Sequence, residues 1–307
     1  MRRYRLPLLC LFAATLLLLI CCPGDDDDAT GDDDVTGDDD TTVGDDDDDS
    51  SADDDDDMFV PEQIDGQVQV QFNEVPDNAG GIASQGLIWA NFYEEISPEE
   101  PGYTENQPDG TDDCAFTSYA ATDIQNTVPA ERTYQSAGEM TVSGGGGSWS
   151  LTPVDPGTGY IFYQWPLNVT TDLAYDVSYD VSAPGDTFPA IDAPASIQMP
   201  SEMHLTSPAS NEMLTLSGDV TVQWSGGGTM NATLKVHAID GINYADIICD
   251  VANDGEFTIP ASYVSQLPGG SIAELSVVQK NPTYVEIDGR WVEFAAVFDL
   301  SADAQIP

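Results

Sequence analysis

The sequence AYDVSYDVSA, residues 174–183, alternates strictly between apolar and polar side chains. The apolar positions are Tyr175, Val177, Tyr179 and Val181, and the polar positions are Asp176, Ser178, Asp180 and Ser182. Because successive side chains of a β-strand point to opposite faces, this pattern predicts a strand with one face in a core and the other in water. We therefore expect a β-rich domain around it.

Similar patterns recur on the N-terminal side of this strand. Gln67–Val75 alternates likewise, with Val68, Val70 and Phe72 on its core face. Gly144–Gly147, between two short strand patterns, predicts a hairpin. These patterns predict a β-sandwich-like domain over residues 64–192.

Two segments of this domain are apolar on both faces, which predicts central strands covered on both sides. They are Leu87–Tyr93 and Tyr160–Leu167. Between them, Glu94–Asp113 is rich in Glu, Pro, Gly and Asp, and we predict a long acidic loop there. Segments with helical periodicity are absent from this part of the sequence.

A second domain is predicted over residues 196–303, after a stretch in which proline recurs at 184, 189, 194 and 200. It holds seven or eight short strand patterns, and Ala261–Leu267 is predicted to form one or two helical turns. Turn residues separate the strand patterns at Gly226–Gly228, Asn253–Gly255 and Asp288–Gly289, and the Asp-Gly pairs of the last two predict hairpins. The spacing resembles an immunoglobulin-like β-sandwich with Trp224 as its core indole. The fold class predicted is therefore all-β, with two sandwich-like domains.

The first 22 residues have the layout of an export signal. Three arginines precede an apolar run, Leu6–Ile20, which ends at Cys21-Cys22. This resembles the signal peptides of bacterial lipoproteins, which carry a lipid on a Cys that follows a small residue. Cys22 fits better than Cys21, because Cys21 would follow the branched Ile20. An uncleaved signal anchor and ordinary cleavage with release are the alternatives.

Residues 23–63 are predicted to be a disordered tether. Blocks of aspartate between residues 25 and 57 contain 20 of the 55 acidic residues. Such a segment has little apolar surface to bury, and its like charges repel one another, so it stays extended. Acidic residues directly after a lipidated Cys resemble signals that send some bacterial lipoproteins to the outer face of the cell. We therefore expect an exported, lipid-anchored protein at the outer membrane or cell surface.

The remaining chain is also strongly acidic, with 35 Asp and Glu against four Lys and Arg, a formal charge of −31. This charge repels phosphate backbones and anionic headgroups, which excludes nucleic acid as a favoured partner. It indicates either a saline medium or a cationic partner.

Little in the sequence indicates catalysis. His204 and His237 are the only histidines, and both lie in strand patterns, where we predict sheet positions without a catalytic role. GxSxG, HExxH, P-loop and CxxC motifs are absent. The sequence thus predicts a protein that is not an enzyme and has no cofactor, apart from loosely bound Ca²⁺.

Two sets of polar residues could form sites. Asp250, Asn253, Asp254 and Glu256 are weak candidates for a Ca²⁺ site at a turn, although turn formation explains most of them. Cys114 and Cys249 could form a disulfide in an oxidising compartment or remain two buried thiols. Oligomeric state has no signature in the sequence.

The order of lipoprotein leader, Asp-rich tether and two β domains resembles surface lipoproteins of bacteria. The segments Cys249-Asp250, Asp254-Gly255 and Phe257–Pro260 resemble a stretch that recurs in their immunoglobulin-like modules. The resemblance implies the class of protein and its location, and it assigns no catalytic residue. For the role itself we expect a structural, adhesive or binding function, with a cell-surface protein or glycan as partner. Two alternatives remain: a carbohydrate-binding or glycan-processing protein, with Tyr163 and Trp165 in an aromatic platform, and a calcium-dependent adhesion module.

Overall fold

The computed structural model describes residues 60–76, 82–208 and 214–307. Over these ranges the chain forms seventeen strands and two short helices, which confirms the all-β prediction. The predicted leader, Cys21 and Cys22, and most of the tether lie outside the described residues. Within the described ranges, no helix has the length and apolar character needed to span a membrane.

The strands follow one another along the chain, with a short helix at two points between them. The strands are β1 (Gly66–Pro76), β2 (Ile82–Ser97), β3 (Asp113–Ala120), β4 (Glu131–Gln135), β5 (Met140–Gly144), β6 (Gly147–Leu151), β7 (Tyr163–Leu167), β8 (Val177–Ala183), β9 (Ile191–Met199), β10 (Ser201–Ser207), β11 (Leu214–Thr215), β12 (Val220–Gly227), β13 (Ala232–Asp240), β14 (Asn243–Val251), β15 (Glu256–Ile259), β16 (Ile272–Ile287) and β17 (Arg290–Gln305). The helices are α1 (Ala121–Asn126) and α2 (Ala261–Val264), and α2 confirms the predicted helical turn.

These strands form three sheets. The largest has ten strands in the order β3-β14-β13-β16-β17-β1-β2-β4, with β7 also paired to β2 and β11 to β17. The other two are the four-stranded sheet β6-β5-β8-β9 and the three-stranded sheet β10-β12-β15. Buried apolar residues of all three sheets belong to one continuous hydrophobic cluster. The fold is therefore sandwich-like, with the large sheet as the layer on which both smaller sheets pack.

Residues 177–183 of the alternating segment form β8. Tyr179 and Val181 are buried in the core, whereas Asp180 and Ser182 are exposed, as the pattern predicts. Strand β9, the neighbour of β8, contacts β1, β16 and β17 of the large sheet. Burial of the apolar face therefore holds the four-stranded sheet against the large one.

The C-terminal strands agree with the predicted immunoglobulin-like arrangement. Leaving aside the two-residue β11, seven strands follow residue 200. The first, second and fifth of them, β10, β12 and β15, form the three-stranded sheet. The third, sixth and seventh, β13, β16 and β17, lie in the large sheet. This is the division of strands in an immunoglobulin constant-type sandwich, except that the fourth strand here pairs with the third. Trp224, on the second strand, is 3% exposed, which confirms it as a core indole.

The structure joins the two ranges predicted as separate domains. Residues 63–307 form one compact unit, because β1 pairs in parallel with β17 and joins the two sandwiches through a single sheet. The predicted boundary between residues 192 and 196 lies inside β9. Pro194 precedes Ala195, which has a positive φ at an irregularity in the pairing of β9 with β8. Pro194 therefore lies at a bulge in an edge strand.

Two further predictions need correction. Tyr160–Leu167 was expected in a central strand, but β7 pairs only with β2, and Gln164, Trp165 and Pro166 are exposed. The turn at Asn253–Gly255 connects β14 and β15, which lie in different sheets, so it is not a hairpin. The turns at Gly144–Gly147 and Asp288–Gly289 do join paired strands, as predicted.

Candidate functional site

The candidate site lies on the outer face of the ten-stranded sheet, opposite the core. On β13, Leu234, Val236 and Ala238 are buried in the core, so Lys235 and His237 point to the outer face. The strand register places His237 directly beside Asp246 of β14. The sheet thus brings together an imidazole, an ammonium and a carboxylate that are separate in sequence.

Asp246 is the centre of this group, with a side chain only 1% exposed. Its Oδ1 lies 2.6 Å from Nδ1 of His237, and its Oδ2 accepts a hydrogen bond from the Tyr119 hydroxyl at 2.9 Å. The Lys235 ammonium lies 3.8 Å from the same Oδ2. Burial by itself would raise the pKa of Asp246, but these three partners together lower it below its ordinary value of 3.8. Asp246 is therefore a buried, ionised carboxylate with partners on both oxygens.

A stack of aromatic rings covers this carboxylate. Tyr103 stacks on Tyr119 with ring centroids 4.1 Å apart, and Tyr119 stacks on Tyr244 at 5.4 Å. The His237 ring follows at 5.8 Å from Tyr244. Burial, together with the nearby charge of Asp246, raises the pKa of Tyr119, so its hydroxyl stays protonated as a donor. We call Asp246, His237, Lys235, Tyr119, Tyr244, Tyr103 and Glu105 the Asp246 cluster.

The cluster fixes the acidic loop that precedes β3. Strand β2 extends to Ser97, so the loop is shorter than predicted and covers residues 98–112. Glu105 from this loop pairs with Lys235 at 3.4 Å. The backbone N–H of Asn106 donates to the Thr117 hydroxyl at 2.8 Å. The loop therefore lies along the sheet face and supplies Tyr103 and Glu105 to the cluster.

The geometry of Asp246 and His237 matches the acid–base pair of many hydrolases, but no nucleophile completes it. A triad requires a hydroxyl or thiol hydrogen-bonded to the imidazole. In the part of the chain that the structure describes, the one hydrogen bond of the His237 imidazole is to Asp246. Tyr244 covers one face of its ring. The charged groups of the cluster therefore pair with one another, and these pairs hold the loop against the sheet.

Cys114 and Cys249 form a disulfide beside this cluster. They are paired positions on β3 and β14, with Cα atoms 4.0 Å apart. The sequence left open a bridge or two separate buried thiols, and the structure has the bridge. The bridge joins β3, an edge strand of the ten-stranded sheet, to its neighbour β14. The two cysteines are 135 residues apart in the sequence.

The structure does not assemble the proposed Ca²⁺ ligands into one site. Asn253 accepts a hydrogen bond from the Trp224 indole, and Glu256 accepts one from Gln223. Asp250 binds Thr111 and Asn231 instead. Asp254 accepts from the backbone of Glu256 within the turn. Over the described ranges, no group of three or more His, Cys, Asp or Glu side chains is arranged to hold a metal ion.

The aromatic residues proposed as a sugar platform are not exposed together. Tyr163 is fully buried and its hydroxyl bonds the backbone at Ala137 and Gly138, whereas Trp165 is 42% exposed. A pocket of about 340 Å³ near Gln279 and Asn281 has neither Trp nor Glu in its lining. Neither this pocket nor the separated side chains of Tyr163 and Trp165 form the combined aromatic and carboxylate cleft that glycan processing requires.

The second histidine joins the two sandwiches. His204 of β10 lies with Nδ1 2.8 Å from Oε1 of Glu74, a buried residue of β1. Burial lowers the pKa of His204, but the hydrogen bond and charge of Glu74 outweigh burial and raise it above its ordinary value. The sequence predicted a sheet position for His204 and gave no sign of its partner.

Asp299, also on the outer face, is expected to reduce stability at neutral pH. Burial, with a contribution from the charge of Glu274, raises its pKa to about 6. The folded protein holds the proton of Asp299 more tightly than the unfolded chain does. Its contribution to stability is therefore fully present below the pKa of the unfolded chain and is lost as pH rises through the folded pKa of about 6. We predict that Asp299→Asn raises the free energy of unfolding by about 2 kcal/mol at about pH 8 and changes it little near pH 4.

Urea unfolding at both pH values measures this effect. Asp303→Asn, an exposed position on the same strand and face, is the matched control and should change stability little at either pH. Equal stabilisation by Asp299→Asn at both pH values would show that burial of an ionised Asp299 is not the cause.

Comparisons of the chain with protein families, with curated proteins and with solved structures find no match.

Proposed function

We propose that this chain is an exported surface lipoprotein, with a lipid on Cys22 and an acidic β-sandwich body that has a binding or structural role without catalysis. The observation that carries the proposal is the Cys114–Cys249 disulfide. Disulfides form and persist mainly in oxidising compartments outside the cytoplasm. The disulfide therefore supports the export that the leader sequence predicts.

The ionisable residues of the outer face support a role without catalysis. Asp246 has partners on both carboxylate oxygens, and Lys235 is shared between Asp246 and Glu105. A catalytic acid or base needs a position from which it can reach a substrate. Here these groups bind one another, and together they hold the loop of residues 98–112 against the sheet.

The charge of the body supports an outward position in a salt-containing medium. The four basic residues after the tether all contact other residues of the body: Arg132 contacts Glu95, Lys235 contacts Glu105, Lys280 contacts Glu293 and Arg290 contacts Gln135. Most of the carboxylates therefore depend on solvent counterions. An acidic tether would keep this body away from an anionic membrane surface by like-charge repulsion.

Substitution of the two leader cysteines tests the proposed anchor. We expect Cys22→Ala to abolish labelling of the protein with radioactive palmitate, because the thiol that would carry the acyl chains is lost. Cys21→Ala is the matched control: it keeps a small residue before Cys22, so the protein should still be labelled and stay in the membrane fraction. Protease added to intact cells should then degrade the body of the anchored forms.

The other outcomes distinguish the alternatives. A wild-type protein that takes up no palmitate and still lies in the membrane fraction would indicate an uncleaved signal anchor. Loss of the label in Cys21→Ala alone would place the lipid on Cys21. Protection of the wild-type body from protease on intact cells would contradict surface display.

A further inference from the structure

Three exposed isoleucines lie together at one end of the outer sheet face. Ile239 of β13 and Ile272 of β16 are paired positions and point away from the core, because Ala238 and Ala273 beside them are buried. They are 43% and 74% exposed. Ile242, 69% exposed, lies in the turn that joins β13 to β14. We call these three residues the isoleucine patch.

Helix α1 extends the patch. The backbone N–H of Ala121, at the start of α1, donates to the carbonyl of Ile242 at 2.8 Å. Ile124, one turn later on α1, is 38% exposed. Single exposed apolar residues are common, but a contiguous group of large ones with polar residues around it is typical of an interaction site.

Carboxylates border this patch. Asp240 is exposed where β13 ends, at the turn that holds Ile242, and Glu274 lies two residues after Ile272 on the same face. Asp303, the partner of Glu274 on β17, is exposed as well. In the described part of the chain, none of these three carboxylates forms an ion pair. The border of the patch is therefore negatively charged.

We propose that the isoleucine patch binds a segment of a partner protein that presents apolar side chains between Lys or Arg residues. The apolar side chains would cover the isoleucines, and the basic residues would pair with Asp240, Glu274 and Asp303. A second copy of this chain is a poorer occupant, because two bodies of formal charge −31 repel each other. The inference adds a partner class to the proposed surface role and does not depend on how the protein is anchored.

A peptide-binding measurement on the full chain tests the proposal. The protein is inserted in nanodiscs of neutral phosphatidylcholine, and two fluorescent peptides of equal positive charge are compared, one with Leu between Lys residues and one with Ser instead. Empty nanodiscs correct for binding to lipid. At about 150 mM NaCl we expect the Leu peptide to bind about tenfold more tightly, because the screened charges contribute equally to both peptides.

The double substitution Ile242→Ser and Ile272→Ser should abolish this preference. Ile96→Ser, at a position 60% exposed on β2, is the matched control and should keep it. Equal affinity for both peptides, or a preference that survives the double substitution, would overturn the proposal. The proposal would also be overturned if sedimentation showed a dimer that Ile272→Ser dissociates, because the patch would then bind a second copy of this chain. A chain that does not enter the nanodiscs is measured with the same two peptides in free solution, so failure of the anchor leaves this test intact.

Discussion

The double substitution Cys114→Ala and Cys249→Ala is expected to lower the free energy of unfolding by about 4 kcal/mol. The two cysteines are 135 residues apart, so the bridge removes a large amount of conformational freedom from the unfolded chain. The bridge also holds β3, which pairs with the sheet along one edge only through β14. Loss of the bridge should therefore weaken both the whole unit and the attachment of this strand.

Urea unfolding of the oxidised protein, with and without reductant, measures this loss. Reductant should destabilise the wild-type protein by a similar amount and leave the double variant unchanged. The proposed compartment predicts that protein isolated from cells already has the bridge. A loss below about 1 kcal/mol would show that the disulfide does little to stabilise the unit.

Asp246→Ala is expected to destabilise the protein by about 3 kcal/mol. The substitution removes the shared partner of His237, Tyr119 and Lys235 at a buried position. Each of these groups would lose a hydrogen bond or an opposite charge, and the partly buried Tyr119 hydroxyl would lose its acceptor. The loop of residues 98–112 should loosen as well, and limited proteolysis should then cut it faster.

Asp250→Ala provides the matched control on the same strand and face. Asp250 is less buried, and its carboxylate accepts hydrogen bonds from the side chains of Thr111 and Asn231, so we expect loss of this carboxylate to cost less than about 1 kcal/mol. The effect of Asp246→Ala should also depend on pH. Because the folded pKa of Asp246 lies below 3.8, its stabilisation is present above that value and disappears as pH falls through the folded pKa. Equal effects of the two substitutions would contradict the central role of Asp246.

Much of the local structure could be predicted from the sequence. The alternation in residues 174–183 identified β8 and which of its faces is buried, since both follow from the period of two along a strand. The turn at Asp288–Gly289 was recognisable because both residues adopt positive φ, which Asp and Gly tolerate in a two-residue hairpin. Such features depend on neighbouring residues only.

The pairing of distant strands could not be predicted in this way. The parallel pairing of β1 with β17 connects residues more than two hundred positions apart, and no local pattern specifies it. Three glutamines of β1 show what this pairing changes. The alternation in the sequence places Gln67, Gln69 and Gln71 on a solvent-exposed face, yet all three are buried. The sequence pattern of β1 identifies its core face but not its neighbours in the sheet.

The candidate site was only partly accessible to sequence reasoning. His237 was correctly placed on a strand, on the face opposite the core residues Val236 and Ala238. Asp246 gave no distinct signal in the sequence, because it is one of many acidic residues. Its role depends on the strand register that places it beside His237. Tyr119 reaches Asp246 only because β3 pairs with β14, a contact between the two ranges predicted as separate domains.

The most direct test of the account is the mass of the N-terminal peptide of the native protein after digestion. The proposed anchor predicts a peptide that begins at Cys22 and carries the added mass of a diacylglyceryl group. An unmodified peptide that extends upstream of Cys22, or one that begins within the aspartate blocks, would contradict it.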